Sequence, residues 1–330
     1  MKKRLKILYV LPIEKASGGM PFAIRQIRSM AAKYPLETEI FYLENRTSLR
    51  YLIEARKRLK ARVKSFDADL VHAHYGSVNA LFTALSVSKP FVITFHGSDL
   101  NKTPSDGLIA DFMARTFSNI AALFAKKTIV VSEKLRKKLW WRREYATVIP
   151  IGTDTAEFFP FSREKAVEIF PEGSKFEFPT IVFNANNPQI NRLDLAQNAV
   201  KLLKRDFPKT LLFTLDGNVP PDKMPAVLNA ADAVLLCSDS EGSPTIIKEA
   251  MACNVPIVST DVGDVKERIA GVEESVLVEQ NAEAICIGLK TVLSRPEHNR
   301  NGRSILLAKG LDEDTLQESI YTLYQKSLQK

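Results

Sequence analysis

Short apolar runs alternate with longer amphipathic stretches along the whole chain. In the first half, runs at 6–11, 37–42, 70–74, 91–96, 128–131 and 147–149 predict strands. The intervening stretches at 20–33, 49–64, 79–86, 110–125 and 133–140 predict helices. This βαβ rhythm predicts a parallel sheet covered on both faces. Such sheets bind ligands at the carboxyl ends of their strands, so the loops that follow the strands are where chemistry belongs.

A turn-rich connection, with Pro150, Gly152, Asp154 and Pro160, marks a domain boundary. A second α/β unit follows, with strands predicted at 180–184, 210–215, 233–237, 257–260 and 275–277. Its helices are predicted at 192–206, 225–230, 245–253, 265–269 and 282–294, and an amphipathic helix closes the chain at 312–329. Two units agree with 330 residues of which 45% are hydrophobic, enough for two cores. No apolar run reaches the roughly 18–20 residues that span a bilayer. The charged start gives way to an apolar run of only 7–11, with no small-residue cleavage site, which reads as a first strand rather than a signal peptide. Cys237, Cys253 and Cys286 have no metal spacing and read as buried thiols in a reducing cytoplasm.

Charge is unevenly spread. Residues 1–150 hold 27 basic and 12 acidic side chains, a net +15, while the whole chain carries +8. The first half therefore suits an anionic partner.

The densest chemistry lies at Glu241-Gly-Ser-Pro-Thr-Ile-Ile-Lys-Glu249. Ser243 suits an N-cap and Pro244 the first helical position, so a helix is expected from Thr245 to Cys253. Its start offers unpaired N–H groups to an anion, with a carboxylate on either side for hydroxyls. A sugar nucleotide has that layout of sugar, diphosphate and ribose. Two glutamates eight apart usually mark only a solvated helix. The longer context, S-E-G-S-P-x5-E-A-M-A-C-x-V-P-I-V-x-T-D-V-G, is far more specific.

That context resembles the donor-site signature of retaining glycosyltransferases of family 4, in the GT-B group. Ser17-Gly-Gly19, His96-Gly-Ser-Asp99, Ile149-Pro-Ile-Gly-Thr-Asp154 and Ala231-Asp232 extend the resemblance over nearly the whole chain. It implies an α/β GT-B fold, two Rossmann-like domains with parallel sheets facing across a cleft. Residues 1–155 would form the acceptor-side domain, 156–310 the nucleotide-sugar domain, and 311–330 a helix crossing back to the first.

The resemblance also implies roles. Glu249 would hold the ribose hydroxyls and Glu241 those of the donor sugar, with Gly242, Ser243, Thr245 and Ile246 around the diphosphate. Gly18 and Gly19 would line the same phosphates, and His96 would touch the sugar. His74 and Asp99 fall on the acceptor side; Asp99 either orients its loop or meets the acceptor. The family usually supplies an Arg and a Lys to the diphosphate from the loop after the first strand of the second domain. Here Asn191 stands at about the Lys position with Arg192 beside it, and the usual Arg has no clean equivalent, Asn184 or Asn186 lying near its place; Arg192 would serve alone or with Lys248.

His72 and His74 lie on one strand face, with no third ligand spaced to complete a metal site. Asp67-Ala-Asp69 is formally a D-x-D but opens a strand, so neither metal nor cofactor is expected. The basic stretch 134–143 includes Arg136, Lys137, Trp140, Trp141 and Arg142, a mixture suited to an anionic membrane surface. No nucleic-acid motif accompanies the charge. The expected function is transfer of a sugar from a nucleotide diphosphate sugar to a glycan or lipid-linked acceptor. The setting is cell-surface polysaccharide or glycoconjugate synthesis, in the cytoplasm or at the inner face of the membrane. The alternatives are a non-catalytic GT-B subunit of a glycan-assembly complex and a GT-B sugar-nucleotide epimerase.

Overall fold

The computed structural model describes residues 4–12, 20–102, 107–176, 178–295 and 300–329. The chain divides into two compact units, Met1–Ile151 with Leu316–Lys330, and Gly152–Thr315.

In the first unit six parallel strands run Leu5–Leu11 (β1), Leu36–Tyr42 (β2), Leu70–His74 (β3), Phe91–Phe95 (β4), Lys127–Val130 (β5) and Ala146–Val148 (β6). Their order across the sheet is β2-β1-β3-β4-β5-β6. Alternation along β1 divides the core. Ile7, Tyr9 and Leu11 pack on one face with the helices Pro21–Lys33 and Glu313–Leu328. Leu8 and Val10 pack on the other with Leu49–Phe66, Ser77–Ser86 and Leu108–Phe124.

The second unit has five parallel strands, Thr180–Asn184 (β7), Leu211–Leu215 (β8), Ala233–Leu236 (β9), Ile257–Ser259 (β10) and Ser275–Leu277 (β11), ordered β11-β10-β9-β7-β8. Ile181 and Phe183 face the helices Leu193–Leu203 and Ala282–Leu293. Val182 and Val234 face the layer that contains Met224–Ala230 and Thr245–Ala252.

Two local differences from the sequence reading stand out. The helix expected over 133–140 stops at Arg136. Beyond it the Trp140 N–H donates to the Asn119 side chain at 2.8 Å, a partner 21 residues away that replaces the next helical bond. The short helices Arg163–Ile169 and Gly302–Ala308 carry no strong sequence signal.

The C-terminal helix is tied in by polar groups as well as by packing. The Tyr324 hydroxyl lies 3.1 Å from that of Tyr9 and 2.7 Å from His72 Nδ1, and His72 Nε2 lies 2.8 Å from Thr94 Oγ1. Within the second unit, its first and last residues run side by side. Thr153 N–H donates to the Leu311 carbonyl at 3.1 Å, and Glu313 N–H donates to the Thr153 carbonyl at 2.9 Å. A Cβ on Gly152 would meet Glu313 Cα at 2.5 Å, so only glycine fits between them.

Candidate functional site

Strand β9 feeds the loop that carries Glu241, and the helix Thr245–Ala252 follows it. Pro244, not Ser243, takes the N-cap, without a side-chain cap, and the helix ends at Ala252. The cause is Lys248. Its side chain is wholly buried, and Nζ donates to Ser243 Oγ at 2.8 Å and to the Ser243 carbonyl at 3.3 Å. The ammonium thus braces the loop from beneath and occupies the hydroxyl that would have capped the helix. Burial pulls the Lys248 pKa down to about 8, against the opposing pull of Asp264. Glu249, on the second turn, is 8% exposed.

Glu241 is wired into the loop after β7. Ser238 Oγ donates to Glu241 Oε1 at 2.9 Å, and Asn191 Nδ2 donates to Ser238 Oγ at 3.2 Å. Asn191 Oδ1 in turn accepts from the Asn187 N–H at 3.0 Å. Asn191, where the resemblance anticipates a lysine, is therefore a buried relay that positions Glu241. Gly263, at φ +55°, belongs to the same framework. A Cβ there would meet the Gly242 carbonyl oxygen at 2.9 Å and Glu241 Cβ at 3.1 Å.

Burial raises the Glu241 carboxyl to about 7, opposed by the Ser238 bond and by Lys248. A sugar hydroxyl bonds more strongly to the ionised form. In the role the resemblance implies for Glu241, donor affinity is expected to rise as pH rises through about 7, by about tenfold between pH 6 and 8 if only the carboxylate binds. Calorimetric titration at the two pH values checks this, because a sugar diphosphate diester has no proton to lose in that range. The slope should vanish in Glu241→Gln; a slope that survives the substitution belongs to another group. The native state also holds the extra proton between about 4.5 and 7, so Glu241 makes the fold less stable as pH rises across that window.

Arg192 sits at φ +62° between the helix Pro188–Asn191 and the next one. Its guanidinium pairs with both oxygens of Asp194 at 3.0 Å and with Asp239 Oδ1 at 3.2 Å. The Asp194 side chain is 62% exposed, so that pair is worth only about 0–1 kcal/mol. A diphosphate could displace it.

In the first unit, His96 follows β4 and is half-buried. Its ring stacks on His74 at 5.3 Å between centroids, with Nε2 3.1 Å from His74 Nδ1, and Phe22 lies 5.1 Å away. Burial lowers all three histidine pKa values, that of His74 to about 3; neighbouring imidazoles lower His72 and His96 further. The stack is neutral, so one ring of the His74–His96 pair donates and the other accepts. Among the described residues, His74 Nε2 and His96 Nδ1 are buried without a partner.

Asp99 is fully buried and accepts from Gly97 N–H at 2.8 Å and from His96 and Gly76 N–H at 3.0 Å. Its carboxylate is given over to backbone donors of its own loop and of Gly76, at the start of the helix Ser77–Ser86. Gly18 and Gly19 lie outside the described residues. Among the described residues no group of three His, Cys, Asp or Glu is placed to hold a metal ion. No helix among them is long and apolar enough to cross a membrane. Of the residues expected at a membrane, Arg136 pairs with Glu133 at 3.0 Å. Arg142 is turned onto the carbonyls of Ala122, Leu123 and Ala125. Trp141 Nε1 donates to the Asn119 carbonyl at 2.8 Å, whereas Lys137 and Trp140 are exposed.

Ser238 escaped the sequence reading, which met Gly263 only as the end of the signature and gave Asp264 no role. The Asp264–Arg268 pair, 2.7 Å apart, has i,i+4 spacing that could have signalled it. Nothing local marks Ser238.

Two Rossmann-like units in one chain, the second with paired glutamates framing a helix start, define the GT-B type. Residues 18–157 match the model of Glycosyltransferase Family 4, and residues 192–304 match that of Glycosyl transferases group 1. The chain belongs to this glycosyltransferase family. It is 28% identical over 253 residues to a Bacillus subtilis protein provisionally named teichuronic acid biosynthesis glycosyltransferase TuaC. The match takes in 70% of this chain and 62% of that relative's length. The fold is shared with sucrose-phosphate synthase from Thermosynechococcus elongatus, at TM-score 0.77 and 16% identity, over 98% of this chain and 99% of that one. It is shared too with Anabaena Alr3699/HepE in complex with UDP-glucose, at TM-score 0.71 and 16% identity, over 98% and 100%.

Proposed function

We propose that the protein transfers a sugar from a nucleotide diphosphate sugar to a glycan or lipid-linked acceptor, with retention of anomeric configuration. The reading places it in cell-surface polysaccharide or glycoconjugate synthesis, on the cytoplasmic side of an anionic membrane surface. The observation that carries it is the pair Glu241 and Glu249 on either side of the helix start at Thr245. Helix N–H groups there suit a diphosphate, and each carboxylate suits hydroxyls. The UDP-glucose complex of the structurally similar Anabaena protein supports a sugar-nucleotide donor.

In this reading Glu249 holds the ribose, Glu241 the donor sugar, and Arg192 with the helix start the diphosphate. His96, whose buried Nδ1 has no partner among the described residues, is assigned to the sugar, and Gly18 and Gly19 are assigned to the phosphates. The bond from the anomeric carbon to the diphosphate breaks, and its electron pair leaves with the phosphate oxygen. The acceptor hydroxyl attacks the same face and passes its proton to that oxygen, so no side-chain nucleophile is needed. The charge on the leaving group falls to Arg192 and the helix start, and no metal is called for.

A second reading, a non-catalytic subunit, draws on Asn191 in the lysine position and on Arg192 held between two aspartates. Nucleoside diphosphate release from a panel of nucleotide sugars separates the two. We expect release from one donor, accelerated by acceptor, with the product's anomeric configuration read by NMR. Donor binding without release from any member of the panel would establish the non-catalytic subunit.

A further inference from the structure

We propose that the first two turns of the helix Leu108–Phe124 form a membrane-docking surface that inserts into an anionic lipid leaflet. This rests on the membrane reading above and names the surface responsible. Leu108, Ile109, Phe112 and Met113 share one helix face and are 74%, 77%, 57% and 47% exposed. The opposite side is well anchored: Asp111 is buried, and Ser118 Oγ donates to the Asp99 carbonyl at 2.7 Å. From Ser118 the helix runs back ten residues to Leu108, about 15 Å at 1.5 Å per residue, beyond the Asp99 contact. Crossover helices begin at the carboxyl edge of a parallel sheet, so the apolar turns overhang the edge that bears His74 and His96.

The patch continues onto a second segment. Trp140, 42% exposed, lies 6.2 Å from the Phe112 ring, and Trp141 packs edge-on against Trp140 at 5.7 Å. The two bonds from this segment to Asn119 clamp it to the helix, so the aromatic and aliphatic groups present one continuous surface. A surface of this kind on a water-soluble unit marks a docking site.

Charge selects the occupant. The segment 134–143, which carries the tryptophans, holds six basic side chains and no acidic one. Lys137, Lys138 and Arg143 are exposed on the segment that carries the tryptophans. Two copies of this face would bring like charges together, and a nucleic-acid backbone would leave the apolar groups uncovered. A leaflet with acidic headgroups meets both demands: acyl chains receive Leu108, Ile109, Phe112 and Met113, headgroups receive the lysines, and Trp140 lies at their boundary. A lipid-linked acceptor held in that leaflet would then lie beside the edge that carries His96.

Co-sedimentation of the full chain with vesicles tests this, using phosphatidylcholine alone or mixed with phosphatidylglycerol. We expect at least about tenfold preference for the mixed vesicles, weakened by salt. The exposed pair Ile109→Ser with Phe112→Ser should lower binding by about tenfold or more, with an unchanged melting temperature. Lys137→Glu with Lys138→Glu should abolish the preference for phosphatidylglycerol. Vesicle binding unaffected by the serine pair would overturn the helix as the docking surface and leave the membrane reading standing. Wild-type protein that ignores both vesicle types overturns both. A dimer seen by light scattering that the serine pair dissolves, without vesicle binding, assigns the face to a second copy and overturns the proposal.

Discussion

Glu249→Ala should weaken nucleotide-sugar binding by about 100-fold while leaving the fold intact. A carboxylate that receives two ribose hydroxyls makes two charge-assisted hydrogen bonds, each worth about 1.5–3 kcal/mol. Their removal, partly offset by water entering the space, should cost about 3 kcal/mol of affinity, and each 1.4 kcal/mol is tenfold. The position is 8% exposed and lies inside the helix Thr245–Ala252, where alanine is the best helix former, so the melting temperature should change little. Glu249→Gln retains an acceptor oxygen and should lose only about tenfold. Calorimetric titration of wild type and both variants with the donor is the measurement. Equal affinity in all three would remove Glu249 from the ribose and take the donor-site reading with it.

The second large effect concerns stability. Asp99→Ala should destabilise the first unit by about 3 kcal/mol, because it leaves the N–H groups of Gly76, His96 and Gly97 buried without an acceptor. For a unit of this size that is about 6–12 °C in melting temperature. Asp99→Asn keeps one good acceptor and should lose roughly half as much. Hydrogen exchange gives the local readout: the amides of residues 76, 96 and 97 should lose protection together in Asp99→Ala. If those three amides keep their protection, the carboxylate does not hold the loop. The loop carries His96, so its loosening should lower transfer while nucleotide affinity in the second unit stays within about twofold.

Much of this was legible before any coordinates because parallel strands buried on both faces appear as short continuous apolar runs. Runs such as 70–74 and 233–237 needed no tertiary information. The Glu241–Glu249 motif was legible for a related reason: the two carboxylates and the helix start between them are close in sequence. What escaped was set by partners far along the chain. Asn191 reaches Ser238 across 47 residues, and through it Glu241, so a residue that reads as a missing cation is a positioning group. Lys248, read from sequence as a further cation for the diphosphate, is buried beneath its own loop, where its ammonium bonds Ser243 Oγ. Trp140 leaves the helical path because the Asn119 side chain, from another helix, competes for its N–H. Local pattern measures propensity and periodicity, and it is blind to such competition.

The side-by-side run of Thr153 and Leu311–Glu313 sets the order in which the chain's parts are made. The second unit enters and leaves at one place, so it is a guest threaded into a host whose two pieces lie at opposite ends of the sequence. Leu316, Ile320, Leu323 and Tyr324 are therefore late-arriving members of the first unit's core. A chain cut after residue 315 would retain the whole guest, yet the Ile7, Tyr9 and Leu11 face of β1 would keep only the cover of the helix Pro21–Lys33 and lose that of Leu316, Ile320, Leu323 and Tyr324. On a ribosome, the host waits for its last helix until the guest has already been made.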